Sequence, residues 1–125
     1  MSQYRPTINE LLLAVQAFVG ETAAGGASAS RFHAMCSDYL LGICERELRL
    51  GPRFAREEER RLAEYLGERA PPEQLRDKLC DEIRSGAHDT RWQPLLELLL
   101  ALSVNDVRVI KPEHLAPEHR EASSN

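Results

Sequence analysis

The stretch "SASRFHAMCSDYLLGICERELRLGP", residues 28–52, is long, amphipathic and free of strand-like alternation. At about 100° per residue, Phe32, Cys36, Tyr39, Leu40, Ile43, Cys44, Leu48 and Leu50 share one broad arc, which predicts a helix with one buried face. His33 and Glu47 fall inside that arc. They stand roughly 21 Å apart along a helix, at ~1.5 Å per residue, so each needs a partner of its own. An unpaired buried carboxylate costs several kcal/mol, so the pattern predicts a buried Glu47 held by an arginine or a helix N-terminus. His33 reads either as a neutral, hydrogen-bonded core residue or as a functional one. Arg31 points away from the arc and is free to face a ligand or partner.

Upstream, "TINELLLAVQAFVGE" opens with a capping box, Thr7 and Glu10, and predicts a helix from about Ile8 to Glu21 with Leu11, Leu12, Val15, Phe18 and Val19 as its apolar stripe. "TAAGGASAS" then breaks the pattern, and Ser28 or Ser30 can cap the next helix. Downstream, Gly51-Pro52 predicts a stop, because glycine suits the left-handed position after a helix and proline lacks the N–H that would continue it. A third helix is expected over "FAREEERRLAEYLG", residues 54–67. Its charges pair at i,i+4 as a solvated face.

"PPEQLRDKLCDEIRSG" carries proline and acid at its start and Arg84 and Gly86 at its end, which predicts a fourth helix burying Leu75, Leu79, Cys80 and Ile83. The fifth, beginning near Asp89 or Thr90 with Pro94 in its first turn, contains "WQPLLELLLALSV". Its apolar residues cover far more than the arc of about 100° that one core contact requires. The helix is therefore either central in the bundle or in contact with another protein. "KPEHLAPEHREASSN", residues 111–125, is polar and proline-containing, and is expected to be a flexible tail. The fold class is thus all-α: one bundle of about five helices over residues 1–110, followed by that tail.

The net charge of −4, with dispersed basic residues, argues against nucleic-acid binding. Arginine supplies 14 of the 16 cationic side chains, so any anion site would use forked donors. Three cysteines without ligand spacing predict neither a disulfide framework nor a metal site, and fit a reducing cytoplasm. No window approaches a membrane span, and no export signal is recognisable.

His33 with Cys36 or Ser37 is the nearest approach to a nucleophilic pair, yet no strained turn or oxyanion donor accompanies it. A phosphate cradle with lysine and magnesium carboxylates is absent, so phosphoryl transfer by the chain alone is not expected. The sequence predicts no cofactor. Arg31 and His33 stand at the first turn of their helix, where unpaired backbone N–H groups favour an anion, and form the candidate site for a carboxylate or phosphate.

Three stretches, "RPTINELLLAV", "RFHAMCSDYLLGICERELRLGP" and the closing "VNDVR", resemble a bacterial family of small helical domains of unknown function, across about residues 4–109. Arg5, Pro6, Thr7, Glu10, Arg31, Phe32, His33, Glu47, Leu48, Gly51, Pro52 and Asn105 coincide with the family pattern. Where relatives continue Asn-Pro, Asn105 here is followed by Asp106-Val107. Genes of that family lie beside an aminoglycoside-phosphotransferase-like kinase and an acyl-CoA dehydrogenase-like protein. The resemblance implies a non-catalytic small subunit of a levulinate-type 4-hydroxyacyl-CoA kinase, with Asn105 joining Arg31 and His33 as a partner-contact candidate. The alternative is an acyl- or CoA-binding module serving the dehydrogenase-like protein, and a third reading is an independent enzyme using His33. A homodimer is compatible with each.

Overall fold

The computed structural model describes residues 5–23 and 31–120. The described residues form an all-α domain of four helices: α1 (Ile8–Ala23), α2 (Arg31–Leu66), α3 (Pro72–Arg84) and α4 (Trp92–Ile110). No strand occurs among the described residues.

The predicted capping box forms, with the Thr7 amide donating to Glu10 Oε2 at 2.8 Å and the Glu10 amide to Thr7 Oγ1 at 3.2 Å. α1 runs antiparallel to the first half of α2. Ile8 lies beside Cys44, whose Sγ is 4.0 Å from the Ile8 carbonyl oxygen, and Phe18 lies beside His33, with ring centroids 6.3 Å apart. Leu11 and Val15 are buried in this pairing, while Leu12 and Val19 of the expected stripe are exposed.

Gly51-Pro52 does not stop the second helix. α2 continues through Pro52 for 36 residues, roughly 54 Å, so the expected second and third helices are one and the helix count is four rather than five. Gly51 does not take a left-handed backbone; Gly67 and Gly86 do, with φ of 71° and 81°, and they terminate α2 and α3. Helical conformation on both sides of Pro52 is held by packing: Cys44 is buried before it, and Phe54 and Leu62 after it. That burial outweighs the loss of one backbone hydrogen bond.

α3 and α4 both pack on the second half of α2. Their shared core is Leu62, Leu75, Leu79 and Leu98, with Leu62 and Leu75 fully buried. α4 runs antiparallel to α2. Arg91, just before α4, lies over the Tyr65 ring, while Val109 and Ile110 at its end meet Arg46 and Tyr39. A 3-10 turn at Asp89–Arg91 leads into α4. The residues after Ile110, expected as a loose tail, form two 3-10 turns at Pro112–His114 and Pro117–His119, and Leu115 is buried. Arg108 Nη2 donates to the His119 carbonyl at 2.9 Å, tying this segment back to α4; residues 121–125 lie outside the described part.

Candidate functional site

Every predicted site residue has a defined place, but they do not converge. Arg31 begins α2 and is exposed. His33 is also exposed, its ring inclined to those of Phe18 and Phe32 at 6.3 and 5.9 Å, so it is an edge residue and not a core histidine. The loop expected to precede them, with Ser28 and Ser30 as caps, lies outside the described residues. Asn105 is buried at the opposite half of α2. It accepts a hydrogen bond from Arg108 Nη1 at 2.7 Å and adjoins Glu57. His33 and Glu57 are 24 residues apart on α2, roughly 36 Å at ~1.5 Å per residue, so Asn105 cannot share a ligand with Arg31 and His33.

Glu47 is half-buried, not buried, and touches the Gly51 side of the helix. The wheel placed it correctly among apolar neighbours, but its arc is only partly covered. Phe32 and Leu48 remain 68% and 69% exposed, and Cys44 is the one side chain of that arc that is buried. Glu47 therefore keeps access to water and needs no buried counter-ion.

A groove of about 490 Å³ is floored by α2 and walled by α3 and α4. Its floor is Gly51, Phe54, Glu58 and Leu62; one wall presents Leu79, Cys80 and Ile83, the other Leu99 and Leu102. This explains why Cys80 and Ile83, expected in the core, are exposed: they face a channel between α3 and α4 that those helices leave open. The polar lining is acidic. Glu47, Glu58, Asp77 and Asp106 line the groove together with one cation, Arg76. Arg76 Nε approaches Glu58 Oε1 to 2.7 Å as an ion pair, although its N–H is not aimed at that oxygen. Burial pushes the Glu58 carboxyl above its ordinary range. Arg76 opposes that rise in part and Asp106 adds to it.

Beside the groove, Glu57 accepts from Arg61 Nε at 2.9 Å. Burial alone would raise its carboxyl, but Arg61 and the Asn105 amide outweigh burial and hold it below the usual range. A further arrangement was not legible in the sequence. His88, 8% exposed, lies between Tyr65 and Glu82, with Nδ1 at 2.8 Å from the tyrosine hydroxyl and Nε2 at 2.9 Å from Glu82 Oε2. An ionised carboxylate can only accept, so Nε2 carries a proton and, in a neutral ring, Nδ1 accepts from Tyr65. The three side chains clasp the α3–α4 connection onto the end of α2. No periodic pattern marks a turn residue such as His88, and only a fold that folds the connection back on Tyr65 reveals it.

No group of three or more potential metal ligands gathers among the described residues, and no helix there is long and apolar enough to cross a membrane. The surface carries many large apolar side chains. Among the described residues, fourteen large hydrophobic side chains are exposed against eleven buried apolar ones. Trp92, Leu96 and Leu100, spaced four apart, make one exposed ridge on α4. The apolar surplus of this helix therefore faces outward, not into the centre of a bundle.

No curated protein and no solved structure matches the chain. The family described as Domain of unknown function (DUF6285) matches residues 25–114, well over half of the 125, and the chain belongs to that family.

Proposed function

We propose that the protein is a non-catalytic accessory subunit that docks on an aminoglycoside-phosphotransferase-like kinase acting on hydroxyacyl-CoA in short-chain hydroxy- and keto-acid breakdown. The observation that supports a docking role is the excess of exposed over buried large apolar side chains, concentrated on α2 and α4. Large exposed apolar patches mark interaction surfaces in water-facing domains. The Trp92, Leu96 and Leu100 ridge is suited to a partner's apolar groove, with Trp92 as the aromatic anchor such contacts favour. Arg31, exposed at the start of α2, offers a charged contact at the other end of the molecule.

The acyl- or CoA-binding alternative would place its ligand in the groove between α3 and α4. The four carboxylates there, against the single Arg76, repel the phosphates of CoA, so the groove's charge favours the docking reading.

The test is co-purification of this chain with an aminoglycoside-phosphotransferase-like kinase from the same cells, followed by an assay of hydroxyacyl-CoA phosphorylation with and without the chain. The Leu96→Glu, Leu100→Glu double variant is expected to keep the melting temperature of the isolated chain within about 2 °C, because both side chains are exposed. It should lose the complex and the chain-dependent activity. Complex formation and turnover equal to the unaltered chain would reject the α4 ridge as the docking surface, and turnover independent of the chain would reject the subunit role.

A further inference from the structure

The exposed apolar side chains are spread unevenly along the chain. Residues 8–50, which hold α1 and the first half of α2, carry eight of the fourteen large hydrophobic side chains exposed among the described residues, against three of the eleven buried apolar ones. Two antiparallel helices bury only the faces they turn to each other, so apolar side chains outside that seam are left for further helices to cover.

Four of the eight gather on one side of the pair. The seam is fixed by Leu11 and Val15 of α1, which are buried, and by His33 and Cys44 of α2, which meet Phe18 and Ile8. At about 100° per residue, Leu12 and Val19 lie about 60–80° round α1 from the seam, and Leu41 and Leu48 about 50–70° round α2 in the same rotational sense. Because the helices are antiparallel, equal turns about the two axes bring both pairs out on one face. All four side chains are 43–69% exposed there. Tyr39 and Arg46, which hold the end of α4, stand about 130–150° from the seam in the opposite sense, so α4 packs on the other side.

This face matches itself. Ile8 is level with Cys44 and Phe18 with His33, which sets Leu12 beside Leu41 and Val19 beside residues 32–33. Val19 and Leu48 therefore flank the Leu12–Leu41 pair on either side, each roughly 12 Å away at ~1.5 Å per residue. A two-fold axis lying in the face, across the helices at Leu12 and Leu41, places those residues on their own counterparts and exchanges the levels of Val19 and Leu48, as an isologous contact requires. Glu45, between Leu41 and Leu48, already accepts from Arg49 Nε at 2.7 Å, so its carboxylate enters such a contact paired. The area is sufficient as well. α1 has 16 residues, roughly 24 Å, and two packed helices are roughly 20 Å across, so the face offers roughly 500 Å². Two copies together reach the ~1,000 Å² that a specific interface needs.

We propose that this face of the α1–α2 hairpin binds a second copy of the chain, hairpin on hairpin, to form a four-helix bundle with Leu12 and Leu41 of each copy at the two-fold axis. The inference stands on the hairpin alone and does not depend on the docking role of the α4 ridge, which stays outside this contact.

Sedimentation equilibrium of the full chain is expected to show a reversible monomer–dimer equilibrium; a chain that stays monomeric at its highest soluble concentration would overturn the proposal. Leu41→Glu is expected to weaken self-association by about tenfold or more, because it sets like charges against each other at the axis, and to leave the helical circular dichroism unchanged. The Leu96→Glu, Leu100→Glu variant is expected to dimerise as the unaltered chain does. A dimer that survives Leu41→Glu and is broken by the α4 changes would overturn the proposal, whereas the docking role is judged separately, by complex formation with the kinase. Crosslinking supplies a readout that needs no disruptive substitution. In a chain carrying Cys36→Ser and Cys80→Ser, Leu41→Cys is expected to give a covalent dimer with a short bismaleimide, and Leu13→Cys, on the side of α1 turned away from α2, to give none. Crosslinking at position 13 and not at 41 would also overturn it.

Discussion

Two adjacent carboxylates, Glu57 and Glu58, sit in opposite electrostatic settings, and pH should separate them. Glu57 is held below its ordinary range, so its stabilising contribution is present above the unfolded value and is lost as pH falls through the folded one. Glu58 is raised, so its contribution is present below the unfolded value and is lost as pH rises through the folded one. Carbon-detected NMR titration should show Glu58 titrating at higher pH than Glu57, and the reverse order would contradict the described packing. Arg46 supplies a second residue-level test. Its Nε donates to the Val109 carbonyl at 2.6 Å and its Nη2 to the Ile110 carbonyl at 3.3 Å, placing a cation on the open carbonyls that end α4. Arg46→Ala is expected to cost about 1.5–3 kcal/mol in chemical denaturation, the range for hydrogen bonds to a charged group. The sequence read Glu47 and His33 as the polar residues of interest on this helix. Arg46 between them escaped notice because a contact to a carbonyl 63 residues away leaves no local pattern.

At the scale of elements, local chemistry was legible wherever the decisive interaction is itself local. The Thr7–Glu10 cap, the proline start of α3 and the left-handed Gly67 and Gly86 all follow from neighbours in sequence. Gly51-Pro52 carries the same local signal as a helix end, and there the long-range term wins: α1 on one side and α3 and α4 on the other hold α2 helical through the proline. Pro52→Ala restores the missing N–H to an otherwise continuous helix. It is therefore expected to stabilise the protein by up to about 3 kcal/mol, read as a rise in the denaturation midpoint. If residues on the two sides of Pro52 were separate helices, the substitution would leave the midpoint unchanged or lower it. Of the apolar faces expected on α2 and α3, Cys44 on the first and Leu75 and Leu79 on the second are buried, while Phe32, Cys36, Leu48, Cys80 and Ile83 are exposed. Which parts of them are covered depends on where α1 ends and how far α3 and α4 splay, and neither is written in the periodicity of a single helix.

For the whole molecule, the all-α class was legible from the absence of strand patterns and the repeated cap and stop signals, while the distribution of the core was not. Among the described residues the large side chains that are fully buried are Leu62 and Leu75, a small interior for this many helical residues. The outward-facing apolar surface is the counterpart of that small interior. The candidate site is divided in the same way. Arg31 and His33 belong to the hairpin of α1 and α2, and Asn105 to the three-helix half, so no single ligand of small size can unite the residues that the sequence singled out.

The 36-residue α2 is shared by two helical groups that lie on different lengths of it: α1 on the first half, α3 and most of α4 on the second. Backbone amides should accordingly divide into two opening units. Hydrogen–deuterium exchange is expected to be slowest for α2 amides around Leu62 and for α3 around Leu75 and Leu79, where the buried leucines meet. Amides of α1 and of α2 around Phe32 and Met35 should exchange faster and together. Arg46 and Tyr39, which hold the end of α4 against the first half of α2, are the contacts through which one unit feels the other. Arg46→Ala should consequently widen the gap in exchange rates between the two halves of a single continuous helix.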